Sequence, residues 1–94
     1  MKRLRLLENP MKSVRIYTTP ICPYCVRAKS LLKRKGIEAD EVDVLMDMDA
    51  RAEMEKRSGG ARSVPQIFIG ETHVGGCDEL YALEKEGKLD PLLA

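Results

Sequence analysis

Cys22 and Cys25, separated by Pro23 and Tyr24 in the segment TTPICPYCVRAK (residues 18–29), are the side chains of this chain best suited to chemistry. A thiolate is both a nucleophile and a metal ligand, so a C-x-x-C pair can serve redox exchange, half of a zinc site, or neither. The spacing alone leaves these open. Redox exchange needs an outer sulfur held as a thiolate and a second thiol close enough to attack the mixed disulfide that the first one forms. A helix beginning at Pro23 meets both needs. Proline is tolerated at the first helical position, and Cys22 then falls at the N-cap, where unpaired N–H groups and the helix dipole favour a negative sulfur. Cys25 turns inward. For a metal, Cys22, Cys25, His73 and Cys77 make a nominal three-cysteine, one-histidine inventory. Against zinc stand the stiffening Pro23, the lack of a second C-x-x-C and the inward direction of Cys25, so no metal is expected. His73 reads as an exposed or edge-strand histidine.

The elements that would position these residues follow from patterning. SVRIYT (13–18) alternates Val14, Ile16 and Thr18 with Ser13, Arg15 and Tyr17 and reads as a strand. The helix from Pro23 runs to Gly36, with Cys25, Ala28, Leu31 and Leu32 on one apolar face and Arg27, Lys29 and Lys33 towards solvent. IEADEVDV (37–44) is a second strand and MDARAEMEKRSG (48–59) a second helix in which Ala50 and Met54 share a face. VPQIFIG (64–70) is an apolar run fit for a central strand, and ETHV (71–74) follows too closely for a crossover, so it returns as an antiparallel hairpin partner. GGCDELYALEKEG (75–87) turns on two glycines into a helix, with Leu80 and Leu83 inward and Asp78 and Glu79 at its positive end. LDPLL (89–93) packs back as a short tail. The order β-α-β-α-β-β-α predicts an α/β fold, a four-stranded mixed sheet flanked by helices.

Length and composition fit one domain. Ninety-four residues, 44% hydrophobic and 33% charged, allow a single modest core built from aliphatic residues. We read residues 1–10 as a disordered extension or upstream start and 11–94 as the domain. Only Leu4, Leu6 and Leu7 lend apolar character to the first ten residues, too little for a signal or membrane segment. The net charge of +1 gives no reason to expect nucleic acid or a membrane as partner. Charge is instead segregated: residues 26–35 carry five bases and no acid, and residues 38–55 carry eight acids and one base. Three cysteines do not suit a secreted disulfide scaffold, which points to a reducing, cytoplasmic setting.

Three motifs in this order, CPYC after a short strand, VPQIFI before a hairpin and GGCDEL opening the last helix, resemble those of dithiol glutaredoxins of the small bacterial glutaredoxin-three type. The resemblance runs from about Met11 to the C-terminus. It implies a thioredoxin fold with Pro65 in the cis form, and a glutathione-dependent thiol-disulfide oxidoreductase. Glutathione would be the reducing co-substrate, and the partners would be glutathionylated or disulfide-containing proteins, ribonucleotide reductase among them. Glutathione reductase would act indirectly, through the glutathione pool, and the protein would be a monomer.

Carried over residue by residue, Cys22 would be the nucleophile and Cys25 the resolver. Tyr24 would flank the bound thiol, and Val64, before Pro65, would pair its backbone with the cysteinyl part of glutathione. Gly76, Cys77 and Asp78 would receive the γ-glutamyl end, and Arg62 the glycyl carboxylate. Thr19 stands where many members carry a lysine, leaving Arg62, Arg57 or Lys56 to supply positive charge. Cys77 is either a small residue at a tight turn or a regulatory thiol that captures glutathione or oxidises. Two other classes compete. A cluster-binding module would hold iron-sulfur between two subunits through Cys22 and two glutathiones, but Pro23 stands where glycine or serine usually accompanies that role. A thioredoxin-like donor would need no glutathione, whereas GGCD and SVP resemble segments that bind it.

Overall fold

The computed structural model of the protein describes residues 12–94. The extension expected at residues 1–10 lies outside them. The elements are β1 (Val14–Thr18), α1 (Pro23–Arg34), β2 (Asp40–Asp43), α2 (Met48–Arg57), β3 (Gln66–Ile69), β4 (Thr72–Gly75), α3 (Cys77–Lys85) and α4 (Leu89–Leu93). The four strands form one sheet in the order β2-β1-β3-β4. β1 pairs parallel with β2, with Arg15 opposite Asp40, and antiparallel with β3, with Ile16 opposite Ile67. β3 and β4 close the antiparallel hairpin through Gly70, whose φ of 58° is a left-handed conformation that glycine adopts without a Cβ penalty.

The sheet has a large and a small apolar side. Val14, Ile16, Ile67 and Ile69 pack under Ala28, Leu31 and Leu32 of α1 and Cys77 and Leu80 of α3. The opposite face buries Tyr17, Val44, Ala50, Met54 and Phe68 against α2. Fully burying one such aliphatic or aromatic side chain contributes about 1.5–3 kcal/mol, so the α1/α3 side supplies most of the driving force and is the firmer mount for whatever those helices carry.

Three details differ from the sequence expectation. Tyr17 was assigned to the polar face of β1, yet it is 0% exposed, because β1 is central and α2 covers its second face. The second strand spans only Asp40–Asp43, an edge strand paired to β1 alone. The tail at 89–93 is a helix, with Leu89 and Leu93 buried and the Leu93 carbonyl accepting from the Lys12 N–H at 2.9 Å. Among the described residues no helix is long and apolar enough to cross a membrane.

Candidate active site

α1 begins as its residues demand. Pro23 occupies the first turn, Cys22 is the extended N-cap residue (φ −148°, ψ 102°), and its Sγ accepts the Cys25 N–H at 3.2 Å. Charge on sulfur strengthens such a bond, and the first turn of α1 holds no acid to oppose it. Cys22 is half-buried, whereas Cys25 is 1% exposed. Burial, and next a hydrogen bond with Cys22, push the Cys25 thiol from its ordinary value of 9.0 up to about 12. The backbone of Thr19 opposes that rise in part. The inner thiol therefore keeps its proton through the neutral range, and the two sulfurs divide as expected into outer and inner.

Beside Cys22 lies a cleft of about 170 Å³ lined by Tyr24, Ser63, Val64, Pro65, Gly76, Cys77, Asp78 and Glu79. The Cys22 Sγ stands 3.9 Å from the Val64 carbonyl oxygen, at the edge of hydrogen-bond range for sulfur. The Val64–Pro65 peptide bond is cis. Across the cleft, α3 starts at Cys77 after the N-cap Gly76, whose N–H donates to Glu79 Oε1 at 2.7 Å. Among the described residues, the N–H groups of Cys77, Asp78 and Glu79 and that of Val64 have no hydrogen-bond acceptor. A helix start with free N–H groups is suited to an anion, and an open backbone N–H and C=O are suited to an added strand. A Cβ on Gly76 would stand 3.3 Å from the Pro65 carbonyl oxygen, so glycine keeps this corner of the cleft open. Burial raises the Cys77 thiol above its ordinary range, and Arg27 partly offsets it.

Two arms of the expected site are elsewhere. The Arg62 side chain is 83% exposed, with its Nε 3.8 Å from Glu55 Oε1, and it does not line the cleft. Arg57 is engaged across the sheet, over the Phe68 ring at 4.3 Å and donating to the Tyr17 hydroxyl at 3.3 Å. His73 is not gathered with the cysteines. It stacks on Phe68 and meets Gln66, and among the described residues no three His, Cys, Asp or Glu side chains could hold a metal ion. The sequence reading missed Glu79 and Ser63 as cleft residues. Glu79 carried a usable signal, an acid three residues after the helix-capping position.

A family model described as Glutaredoxin matches residues 14–74. The chain belongs to the glutaredoxin family. Its relatives include glutaredoxin 3 of Escherichia coli K12, 54% identical over 83 residues that cover 88% of this chain and 99% of that one. Among solved structures, a glutaredoxin from Brucella melitensis is 63% identical, with a TM-score of 0.76 over 88% of this chain and 89% of its own. A buckwheat glutaredoxin solved as a glutathione complex is 33% identical, with a TM-score of 0.76 over 87% of this chain and 76% of its own. This glutaredoxin is thus a thiol-disulfide oxidoreductase with the thioredoxin fold, and its C-x-x-C pair is Cys22 and Cys25.

Proposed function

We propose that this glutaredoxin uses glutathione as its reductant and reduces both protein-glutathione mixed disulfides and protein disulfides in the cytoplasm, acting as a monomer. The observation that carries the reading is the cleft beside Cys22, with an open Val64 backbone on one wall and free N–H groups of α3 on the other. A tripeptide with a central thiol and charged ends fits that chemistry. Val64 pairs with the cysteinyl backbone next to Pro65, and Tyr24 flanks the sulfur. The N–H groups after Gly76, at Cys77 and Asp78, take the γ-glutamyl carboxylate, and the Asp78 carboxylate takes its ammonium. Arg62, whose side chain among the described residues meets only Glu55, at 3.8 Å, swings to the glycyl carboxylate.

In the monothiol route the Cys22 thiolate attacks the glutathione sulfur of a mixed disulfide. The client leaves as its thiol and Cys22 becomes glutathionylated. Cys22 is then freed when a second glutathione thiolate attacks that adduct, giving oxidised glutathione. In the dithiol route Cys22 attacks a protein disulfide, and Cys25 attacks the Cys22 sulfur to release the reduced client and leave an internal disulfide. Two glutathiones reopen it, and glutathione reductase restores the pool.

The test is a coupled assay with glutathione, glutathione reductase and a glutathionylated peptide. Wild type and Cys25→Ser should both turn over, and Cys22→Ser should not. Turnover of Cys22→Ser, or recycling of wild type by thioredoxin reductase but not by glutathione, would overturn the proposal.

A further inference from the structure

Gln66 is a polar side chain in the apolar run that forms β3, and it is 4% exposed. It is fully bonded. Its Nε2 donates to the Ser63 carbonyl oxygen at 3.0 Å and lies 3.3 Å from the Ser63 hydroxyl, and its Oε1 meets His73 Nε2 at 2.7 Å. The amide has one sensible orientation. Turned over, its oxygen would face the Ser63 carbonyl oxygen, acceptor against acceptor. His73 must therefore carry a proton on Nε2 and donate to Oε1. The His73 ring is itself held by stacking on Phe68, with centroids 4.8 Å apart.

The consequence lies one atom further along the chain. The Ser63 carbonyl and the Val64 N–H belong to the same planar peptide unit and point in opposite directions. A side chain that fixes the carbonyl fixes the N–H. Val64 lines the cleft, and its N–H has no acceptor among the described residues. We propose that Gln66, braced by His73 from β4, is a positioning residue that aims the Val64 N–H into the cleft for the backbone of the bound thiol peptide. The proposal rests on the glutathione reading above. It adds that affinity for the glutathione moiety is set partly from the opposite face of the sheet.

The experiment compares Gln66→Met, which cannot donate, Gln66→Glu, which still accepts from His73 but cannot donate to Ser63, and His73→Phe, which keeps the stack and removes the brace. KM for a glutathionylated peptide should rise about tenfold in both Gln66 variants and about threefold in His73→Phe, with kcat within about twofold, as expected for lost ground-state positioning. The rate of Cys22 alkylation by iodoacetamide should stay at the wild-type value. The Val64 amide resonance should shift in all three free proteins. An unchanged KM in Gln66→Met, or equal KM values for Gln66→Met and Gln66→Glu that track a matching fall in alkylation rate, overturns the proposal. If the Gln66 variants fail to fold, an unchanged KM in His73→Phe does so. A wild type inactive with glutathione refutes the functional reading instead. The Val64 resonance then decides the positioning alone, and an unmoved resonance rejects it.

Discussion

Two helix N-termini face the same cleft and use the same backbone groups differently. α1 turns one of its free N–H groups on a sulfur of its own chain, with Cys22 as N-cap and the Cys25 N–H on its Sγ at 3.2 Å. α3 has no side chain at its N-cap position, because Gly76 is there, and leaves the N–H groups of its first turn open. One terminus carries the reactive atom, and the other is shaped for something that arrives. The contrast teaches that a helix start becomes a nucleophile site or a binding site according to whether the residue before it supplies a side chain.

The sharpest way to break the contrast is to remove the sulfur. Cys22→Ser should lower turnover on the order of 10³-fold or more, measured in the coupled assay, because the step loses its nucleophile. Cys25→Ser should keep the monothiol activity and lose reduction of protein disulfides. Next, unseating α3 should cost more than altering its edge: Leu80 is 0% exposed in the main core, so Leu80→Ala should lower stability by about 2–5 kcal/mol in urea unfolding. The inner thiol at the start of α1 also makes stability respond to pH. Cys25 has a folded-state value raised from 9.0 to about 12, so folding holds its proton and the associated stability is complete below pH 9. Between about pH 9 and about pH 12 the unfolded chain ionises first, and stability falls. Cys25→Ser should flatten that part of a Tm-against-pH curve relative to wild type. The smallest effect belongs to the rim of α3. Gly76→Val would place a Cβ 3.2 Å from Glu79 Oε1 and 3.3 Å from the Pro65 carbonyl oxygen, narrowing the cleft. It should raise KM for a glutathionylated peptide by about tenfold, roughly 1.4 kcal/mol, with iodoacetamide labelling of Cys22 unchanged.

The legibility of this molecule in its sequence was uneven for physical reasons. Local rules carried α1, since Pro23 can start a helix and Cys22 can cap it, and they separated the outer from the inner cysteine. The hairpin was equally readable from Gly70 and the short gap between two extended runs. Tyr17 was misplaced because alternation reports one buried face, and β1 has two. The short helix at Leu89–Leu93 was read as a tail because five residues hold too little periodicity. The cis bond at Val64–Pro65 came only with the family resemblance, since a minority isomer is selected by surrounding structure and not by the dipeptide. Val64 and the residues from Gly76 to Asp78 were named as one site, and the cleft brings them together. Arg62 was named beside them but stands in solvent, and Gln66 passed unremarked because its bonds to Ser63 and His73 exist only once the hairpin has formed.

The near-complete enclosure of Cys25 has a further effect on how oxidative injury is distributed. A small oxidant such as hydrogen peroxide meets one sulfur of the pair and not the other, so oxygen is added to Cys22 while Cys25 is spared. Cys25 condenses with the resulting sulfenic acid to form the internal disulfide and water, and further, irreversible oxygen addition falls on whatever Cys22 escapes that closure. Mass spectrometry of the peroxide-treated reduced protein should find the added oxygens on the Cys22 side of the motif. Once Cys22 is tied to Cys25 that exposure ends, and the internal disulfide doubles as a shelter in which the enzyme can wait out an oxidising episode until glutathione returns.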